Sequence, residues 1–350
     1  AVYPQSIKSA SGNFSHNPQR CQRQRFQGLT CMPETPSAHG PETHRSGIVA
    51  IIGPPNAGKS TLLNTFIGQK LAIVTPKPQT TRTSVSGILS SEQGQILFLD
   101  TPGIHHTRQT MNAMMVDIAW RTLESSDSIL LVLDASRYVK QPGLLPKDLS
   151  AMLKRLTRLP IPMHIALNKL DLVKDKRGLL PLMQSVAELF PDADLFPVSA
   201  LNAQETDKLL GAVMFSLPEA PPLFPQDQLS TLPMRFLATE IIREKLFFAL
   251  DKELPYAVAV SIDNWVERPE QGLVEIYATI VVPRKSTKGI VIGAKGARLK
   301  EIGQKSRLEI SDMLECDAYL NLWVKVQSKW NEDRRFLQEL VFDSDPLRSE

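Results

Sequence analysis

The chain has 350 residues, which is long enough for two ordinary domains, and 42% of them are hydrophobic, which supports packed cores. No apolar run approaches the ~18 residues that a membrane-spanning helix needs, and a net charge of +3 is too small to indicate a partner. The three cysteines exclude a disulfide scaffold, and a zinc site would need more ligands at closer spacing.

Residues 1–45 differ in composition from the rest of the chain. The first 33 residues contain four Lys or Arg and no Asp or Glu, among many Ser, Gln and Asn, and they show no hydrophobic periodicity. This composition predicts a disordered basic arm and is also typical of an organellar transit peptide. We therefore expect an organellar protein, in the chloroplast rather than the mitochondrion. A plain disordered extension and a bacterial-type cytoplasm are the alternatives.

Residues 46–216 alternate between apolar runs and stretches of helical spacing. The apolar runs predict buried strands at 47–52, 95–100, 128–135, 163–169 and 195–200. Helical spacing predicts helices at 60–68, 111–124 and 147–159. Short apolar strands that alternate with helices are typical of a doubly wound, mostly parallel sheet. The segment is therefore predicted to form an α/β domain.

The stretch GPPNAGKST, residues 53–61, follows the first predicted strand and opens the first predicted helix. Its glycines, lysine and serine fit the pattern of a phosphate-binding loop, in which backbone N–H groups and the helix N-terminus point at the phosphates. Lys59 should bridge the β- and γ-phosphates and act in catalysis, and Ser60 should ligate Mg²⁺. The predicted nucleotide contacts in this loop are Gly53, Asn56, Ala57, Gly58, Lys59, Ser60 and Thr61.

Two further elements are predicted to surround the γ-phosphate and Mg²⁺. The stretch TPKPQTTR, residues 75–82, is a polar loop typical of a switch segment. Thr81 is favoured as its catalytic, Mg²⁺-contacting threonine, with Thr80 as the alternative. Asp100 ends a predicted parallel strand, where its carboxylate faces the ligand crevice and can hold Mg²⁺ through water. In the stretch DTPG that Asp100 begins, the N–H of Gly103 can sense the γ-phosphate and take part in catalysis.

The residue after this glycine is Ile104, where Ras-type GTPases carry a glutamine that orients the attacking water. Since an aliphatic side chain cannot do this, we expect slow intrinsic hydrolysis that relies on backbone groups, a cation or a partner. Asn56 is a candidate ligand for K⁺ beside the phosphates, and a role in merely shaping the loop is the alternative. His105 and His106 are interpreted as switch residues rather than as a catalytic base.

The stretch NKLD, residues 168–171, follows a predicted strand and indicates which base is bound. The carboxylate of Asp171 can accept hydrogen bonds from N1–H and the exocyclic amine of guanine. Adenine has no proton at N1 and no amine at C2. It would therefore leave the carboxylate without a hydrogen-bond partner, which lowers the affinity for ATP. Asn168 should tie the base to the phosphate loop, and the stem of Lys169 should cover the base plane. Ser199 and Ala200, after the last predicted strand, should contact guanine O6 through the backbone.

A proline-rich segment separates this domain from a second module. Residues 217–233 contain five prolines, which lack a backbone donor and fix φ, so a semi-rigid, extended linker is expected. Residues 234–342 are predicted to form a small α+β module, followed by a tail at 343–350. Its predicted elements are a helix at 234–250, strands at 256–263, 273–282 and 318–326, and two short helical stretches around Gly296 and Ser306.

The second module contains the pattern G-x-x-G beside a predicted helix, which is typical of the nucleic-acid clamp of a KH domain. Residues 284–307 contain eight Lys or Arg and a single acid, Glu301, so the local charge of +7 suits a phosphate backbone. Single-stranded RNA is the expected ligand. The predicted RNA contacts are Lys288, Gly293, Ala294, Lys295, Gly296, Arg298 and Lys300. Trp323 and Trp330 could stack on bases, but Trp323, on an apolar strand, is expected in the core.

A single phosphate-loop domain, a proline-rich linker and a KH module are a rare combination. The stretches NAGKSTLLN, PKPQTTR, DTPGIH, NKLD, SAL, KGIVIGAKGARLKEIG and LWVKV make residues 46–340 resemble the Era family of GTPases. The resemblance implies a P-loop GTPase domain followed by a type II KH domain, with GTP or GDP and Mg²⁺ as ligands. It further implies binding to the 3′ end of small-subunit ribosomal RNA, a role in small-subunit assembly, tighter RNA binding in the GTP form, and hydrolysis stimulated by RNA.

The chain departs from the family pattern at Pro54, where Arg is frequent, and in the details of GAKG and VPRKSTKG. The alternative function is that of an RNA-binding chaperone with a structural nucleotide and negligible turnover, which Ile104 would favour. A membrane-associated GTPase lacks support because no basic amphipathic helix or lipidation motif is evident. We expect a monomer without integral membrane association.

Overall fold

The computed structural model describes residues 44–75, 77, 84–103, 116, 119–333 and 336. The predicted basic arm lies outside these residues except for its last two positions. So do other predicted features, namely Thr80 and Thr81 of the switch segment, Ile104, His105, His106 and the tail at 343–350.

The first part of the described chain alternates between strands and helices, as predicted. Its strands are β1 (Arg45–Ile52), β2 (Val85–Ser90), β3 (Gly94–Asp100), β4 (Ser128–Asp134), β5 (Met163–Asn168) and β6 (Asp194–Pro197). Its helices are α1 (Lys59–Ile67), α2 (Ala135–Lys140), α3 (Leu145–Leu149), α4 (Leu153–Leu156), α5 (Leu179–Leu189) and α6 (Thr206–Phe215), and residues 119–124 are also helical.

The six strands form one sheet in the order β2-β3-β1-β4-β5-β6. All neighbours in it are parallel except β2, which pairs antiparallel with β3. The five predicted strands are all present, although β6 is shorter than expected. Because β1, β3, β4 and β5 run in the same direction, their carboxyl ends meet at one edge, where ligands of such sheets bind.

Strand β2 was not predicted from the sequence. Its residues VSGILS include two serines and a glycine, which weaken the strand signal. The glycine is explained by packing, since a Cβ at Gly87 would lie 2.8 Å from Leu63 Cδ1 of α1. The helix therefore lies so close to this strand that a side chain at Gly87 would clash.

The prediction of one continuous helix at 147–159 is wrong. The structure has two short helices, α3 and α4, separated by residues 150–152, which form a turn. At the break, the Ser150 hydroxyl donates to the carbonyl of Lys147 at 2.7 Å. Serine hydroxyls that bond to nearby backbone groups compete with helix formation, which gives the interruption a local cause.

Apolar side chains of the sheet are buried on both of its faces. Along β1, Val49 and Ile51 join the core beneath α1 and α6, whereas Ala50 and Ile52 join the core beneath α2 and α5. All four of these residues are completely buried. Full burial of a Val or Ile side chain contributes about 1.5–3 kcal/mol, so the position of β1 is strongly fixed. The loop that follows β1 thus starts from a rigid strand.

The proline-rich segment 217–233 lies along the β2 edge of the sheet. The N–H of Ile88 donates to the carbonyl of Leu229 at 2.8 Å, and the Ser86 hydroxyl lies 2.7 Å from that of Thr231. The side-chain oxygen of Gln95 accepts from the N–H of Phe224 at 2.8 Å. These bonds dock the segment on the sheet and cover a strand edge that would otherwise be open to other chains.

The second part of the described chain forms a separate three-stranded sheet in the order β7-β8-β9. Its elements are α7 (Met234–Ala249), β7 (Ala259–Arg268), β8 (Leu273–Val282), α8 (Lys285–Ile292), α9 (Ala297–Leu314) and β9 (Asp317–Val326). β7 and β8 are antiparallel, and β8 and β9 are parallel. Buried residues of the helices and the strands share one core, including Ile242, Ile276, Ile302 and Val324.

The helices around the G-x-x-G pattern differ from the expectation. Two short helical stretches were expected, centred near Gly296 and Ser306. The structure instead places α8 before Gly293 and an 18-residue helix, α9, directly after Gly296. The pattern therefore forms the tight connection between two helices, with Gly296 as the left-handed residue at which α9 begins.

Within the described ranges, none of the helices combines the length and apolar composition that crossing a membrane would demand. In the same ranges, no three His, Cys, Asp or Glu side chains are grouped closely enough to hold a metal ion by themselves.

Candidate nucleotide site and nucleic-acid clamp

The phosphate loop occupies the carboxyl end of β1, with a shape that requires two of its glycines. Gly53 and Gly58 have φ values of 143° and 98°, in the region that favours glycine. A Cβ at Gly53 would lie 2.2 Å from the carbonyl oxygen of Val132 on β4. A Cβ at Gly58 would lie 2.3 Å from Asn168 Nδ2. The loop is thus pressed against the neighbouring strand ends.

Lys59, the first residue of α1, is 6% exposed and turns back into the loop. Its Nζ donates to the carbonyls of Gly53 at 3.0 Å and Pro54 at 3.1 Å. Burial lowers the pKa of Lys59 to about 8, while the nearby Asp100 carboxylate opposes the shift. An anionic phosphate would offer this amine a stronger partner than two carbonyls, so the lysine is suited to bind the β- and γ-phosphates.

The two predicted Mg²⁺ ligands on described residues are adjacent. The Ser60 hydroxyl donates to Asp100 Oδ2 at 2.5 Å. Asp100 is the last residue of β3 and is completely buried. A hydroxyl and a carboxylate are oxygen ligands of the kind that Mg²⁺ prefers, and it usually retains several waters. These residues therefore fit a Mg²⁺ site, whereas the third predicted ligand, Thr81, lies outside the described residues.

Gly103 passes close beneath the phosphate loop. A Cβ at this position would lie 3.0 Å from the Cα and the N of Pro55. Two residues earlier, the Thr101 hydroxyl donates to the carbonyl of Ile51 at 2.9 Å and fixes the chain as it leaves β3. The backbone of Gly103 therefore lies next to the loop predicted to hold the phosphates.

Asn168 connects the predicted base-binding residues to the phosphate loop. Its Nδ2 donates to the carbonyl of Ala57 at 2.9 Å, and its Oδ1 accepts from the N–H of Ala200 at 2.9 Å. One buried amide thus joins the segments around Gly58, Asn168 and Ala200. The sequence interpretation predicted the first of these connections but not the second.

Asp171, the predicted guanine-reading residue, is exposed on the turn that follows β5. Its Oδ1 accepts a hydrogen bond of 2.5 Å from the hydroxyl of Ser199. Ser199 was predicted only as a backbone contact, yet its side chain positions the carboxylate. The Thr65 hydroxyl of α1 donates to the carbonyl of Ala200 at 2.7 Å, which anchors this segment to the phosphate-binding helix.

Asp134 takes part in the site but was not predicted from the sequence. The Nζ of Lys169 donates to Asp134 Oδ2 at 2.7 Å and to the carbonyl of Asn56 at 2.5 Å. Although burial would raise it, hydrogen bonds from Lys169 and Ser136 hold the pKa of Asp134 below its ordinary value. The sequence did contain a signal for Asp134. It ends an apolar strand, as Asp100 does on β3, and the position of Asp100 was used to predict its role.

Asn56 has a positive φ of 61°, which Asn tolerates better than most residues. Its carbonyl is bonded to Lys169, as described above. This geometry is compatible with the loop-shaping role, and the K⁺-ligand role stays a prediction. Thr61 follows Ser60 in the first turn of α1 and is half-buried.

The G-x-x-G segment connects α8 and α9 through three residues with positive φ. Gly293 and Gly296 have φ values of 74° and 81°, and Lys295 between them has a φ of 49°. A Cβ at Gly293 would lie 2.8 Å from the Cβ of Arg298, whose Nη1 donates to the carbonyl of Ile290 at 2.6 Å. Ala294, Lys295 and Lys300 are exposed, while Lys288 is half-buried. The predicted RNA contacts thus line one end of α8 and α9.

The prediction that Trp323 belongs to the core is wrong. Side chains alternate along β9, and its core-facing set includes Ala318 and Val324, so Trp323 is on the opposite side and is 65% exposed. The Nζ of Lys288 lies 5.5 Å from the centre of its ring. Trp330, in contrast, is 1% exposed, and its Nε1 donates to the carbonyl of Ala257 at 3.1 Å.

Two family models match the chain. The model described as a 50S ribosome-binding GTPase matches residues 48–169, and the KH domain model matches residues 253–331. The GTPase Era of Nitratidesulfovibrio vulgaris (strain DSM 19637 / Miyazaki F) is 50% identical over 297 residues, covering 85% of this chain and 97% of the relative. The GTPase Era of Trichlorobacter lovleyi is 42% identical over 301 residues, covering 86% of this chain and 99% of the relative.

Two solved structures are similar along their whole length. A crystal structure of an Aquifex aeolicus Era variant bound to GDP and AlF4⁻ has a TM-score of 0.80 and 37% identity, and 86% of this chain covers 100% of that one. Era in complex with MgGDPNP and nucleotides 1506–1542 of 16S ribosomal RNA has a TM-score of 0.81 at the same identity and coverage. These similarities confirm the predicted fold class, a P-loop GTPase domain followed by a KH domain.

Proposed function

The chain belongs to the Era family of GTPases, and we propose that it uses GTP to control its binding to the 3′ end of small-subunit ribosomal RNA during assembly of the small subunit. The observation that carries this proposal is the similarity, over 86% of this chain and 100% of the other, to an Era that holds both MgGDPNP and a 16S ribosomal RNA fragment. The chain is a GTPase, with GTP, GDP and Mg²⁺ as its ligands.

The described residues divide the work of holding the nucleotide. Lys59 neutralises the β- and γ-phosphates, and Asp171, positioned by Ser199, accepts from the guanine edge. Ser60 and Asp100 would hold Mg²⁺, which supplies positive charge at the transferred phosphoryl group. Asn168 keeps the base-binding and phosphate-binding segments at a fixed separation. We expect slow hydrolysis in the absence of RNA because Ile104 cannot orient water.

The nucleotide site and the KH module are connected by a charged cluster that we name the hinge cluster, formed by Lys70, Glu244, Lys245 and Glu309. The Nζ of Lys70, after α1, donates to Glu244 Oε2 at 2.6 Å and to Glu309 Oε1 at 2.7 Å. The Nζ of Lys245 donates to Glu244 Oε2 at 2.8 Å and also to Glu309. Although burial opposes ionisation, the two lysines hold the pKa of Glu309 below its ordinary value.

The hinge cluster also contacts Val74, the residue directly before the predicted switch segment. Glu244 is 2% exposed, and its Oε1 accepts from the N–H of Val74 at 3.1 Å. Farther along, the Nζ of Lys77 donates to the carbonyls of Phe247 and Leu250 at the C-terminal end of α7. A cation is favoured at that end because the helix dipole is negative there. Val74 and Lys77 are thus each bonded to α7 or to the residue that follows it.

We infer that GTP binding changes these contacts. Thr81 lies four residues after Lys77, which is at most ~14 Å of extended chain. Because Lys77 belongs to the predicted switch segment, ordering of that segment around Mg²⁺ and the γ-phosphate would act on the bonds of Lys77 to α7. The hinge cluster then rearranges, and α9, which carries both Glu309 and Arg298 beside the clamp, changes its position. GTP binding thereby reaches the RNA-binding surface.

Crosslinking of the chain to cellular RNA, followed by sequencing, tests the proposed function. We expect reads concentrated at the 3′ end of small-subunit ribosomal RNA, and loss of these reads in a Lys295→Glu variant of the clamp. Reads spread over other RNAs, or unchanged by that variant, would overturn the proposal. The ribosome of origin also tests the compartment, for which an organelle stays our prediction.

A further inference from the structure

Trp323 is the feature of the KH module that neither the clamp nor the core explains. It is 65% exposed, whereas Trp330 is 1% exposed. A single exposed apolar residue is ordinary on a protein surface, so exposure alone indicates nothing. The surroundings of the ring are what make it informative.

The ring lies beside the cationic side of the clamp. Lys288, whose Nζ is 5.5 Å from the ring centre, belongs to α8, the helix that ends at Gly293. Because 65% of the residue remains exposed, Lys288 leaves most of the indole accessible. Through Lys288 the indole is thus adjacent to α8, the helix that leads into Gly293–Gly296.

The charges around Trp323 favour a polyanion. Lys325, two residues along β9, is exposed on the same side of the strand, and the exposed Arg284 and Lys285 lie at the start of α8. The nearest acid on this face of the sheet is Asp263 of β7, whose Oδ2 accepts at 2.6 Å from the hydroxyl of Thr279, the register partner of Trp323; on β9 itself it is Asp317, six residues away, or about 20 Å along a strand. Glu275, on the neighbouring strand, is bonded to Arg268 at 2.6 Å. The end of β9 that carries Trp323 is thus basic.

We propose that Trp323 is a base-stacking platform for single-stranded RNA next to the clamp, an inference that rests on the proposed function. One base stacks on the exposed indole, and Lys288 and Lys325 neutralise the phosphates on either side of it. An aromatic ring stacks on any base because every base has a π-face, so Trp323 supplies affinity without reading sequence. The G-x-x-G segment holds the backbone of the same strand.

The test uses the full chain with a non-hydrolysable GTP analogue and, as the probe, an RNA oligonucleotide with the sequence of nucleotides 1506–1542 of 16S ribosomal RNA. We expect Trp323→Ala to weaken binding by about 5- to 150-fold, the range for loss of one stacked base. Trp323→Phe should restore most of the affinity. Trp265→Phe, on β7 of the same sheet, is the matched control and should bind like the unchanged chain.

Tryptophan fluorescence separates stacking from a structural role. In a chain with Trp120→Phe and Trp265→Phe, bound RNA should quench the emission of Trp323, and the quenching should disappear when Trp323→Phe is added although RNA still binds. Equal affinity of Trp323→Ala, or quenching that persists without Trp323, would overturn the inference. Unchanged RNA affinity with reduced retention on small subunits would also overturn it, in favour of a protein-docking surface. RNA binding that is undetectable in the unchanged chain would instead reject the proposed function itself.

Discussion

At the scale of single residues, parts of the nucleotide site are packed so closely that a side chain larger than the native one would clash. The motif spacing in the sequence identified Gly58, Lys59, Asn168 and Asp171 as site residues, because loop geometry and base chemistry restrict the residue types. The spacing did not reveal that the Asn168 amide fills the space above Gly58, or that Asp134 holds Lys169. Such contacts join strand ends that are far apart in the chain, so only the fold shows them.

We expect Gly58→Ala to lose nucleotide binding and stability together. The new Cβ would be placed 2.3 Å from Asn168 Nδ2 at a φ of 98°, so the amide would be displaced and its two hydrogen bonds lost. Strain and lost bonds together predict a cost of about 2–5 kcal/mol, measurable by urea unfolding and by calorimetric titration with GDP. Gly211→Ala on α6, where a Cβ meets nothing within 4 Å, is the control and should be neutral or stabilising. A Gly58→Ala chain that binds GDP normally would contradict the geometry.

Asp171→Asn should shift the base preference from guanine toward xanthine. An amide cannot accept from both guanine donors, so two charge-assisted hydrogen bonds are lost, and GTP affinity should fall by roughly 10²–10⁴-fold. The amide can instead donate to a carbonyl at C2, so xanthosine triphosphate should bind better to the variant than to the unchanged chain. Competition of both nucleotides against a fluorescent GDP measures this. Unaltered GTP preference would exclude Asp171 as the guanine-reading residue.

At the scale of elements, periodicity predicted the parallel strands because they are buried on both faces. It missed β2, whose serines and glycine suit an edge strand covered by the segment 217–233. It also placed Trp323 in the core, because an apolar run does not reveal that the described elements leave Trp323 on β9 exposed. These errors share a cause: tertiary packing, rather than local propensity, decides them.

Strand β5 contains a buried histidine that should make stability depend on pH. His164 is 4% exposed, and burial keeps its pKa below the ordinary 6.5, although Asp194 opposes the shift. His164 is therefore protonated more readily in the unfolded chain than in the folded chain. The folded chain keeps its full stability above pH 6.5, where His164 is neutral in both states, and loses stability as the pH falls below 6.5. We expect the wild-type urea midpoint to fall more steeply between pH 7.5 and 5.5 than that of His164→Leu. The slopes of the unfolding free energy against pH should differ between the two proteins by at most about 1.4 kcal/mol per pH unit. Equal slopes would contradict the prediction.

Helix α7 should transmit the nucleotide state through Glu244. Glu244→Gln keeps the shape of the side chain but leaves the hinge cluster with excess positive charge and weaker hydrogen bonds to Lys70 and Lys245. We expect RNA affinity in the GDP state to rise toward that of the GTP state, by up to about tenfold. Filter binding with each nucleotide measures it, with Glu188→Gln on α5, an exposed site, as the control for the charge change. An unchanged ratio of affinities would show that the cluster is only structural.

At the scale of the whole molecule, a GTPase sheet, a docked proline-rich segment and a KH sheet form the proposed switch. The sequence predicted the two functions, since each has its own motif. It did not predict which residues connect them, because Lys70 and Val74 lie in no motif, and the bonds of Lys77 to α7 are visible only in the fold. Conversely, Met313 of α9 packs against the cores of both sheets, which gives the connection an apolar component.

The central claim, that nucleotide state controls the grip on RNA, is tested most directly by the dissociation constant for an RNA with the sequence of nucleotides 1506–1542 of 16S ribosomal RNA. It should be measured with a non-hydrolysable GTP analogue, with GDP and without nucleotide, each at the same salt concentration. The account predicts about 5- to 150-fold tighter binding with the GTP analogue than in the other two states. Identical dissociation constants in all three states would contradict it.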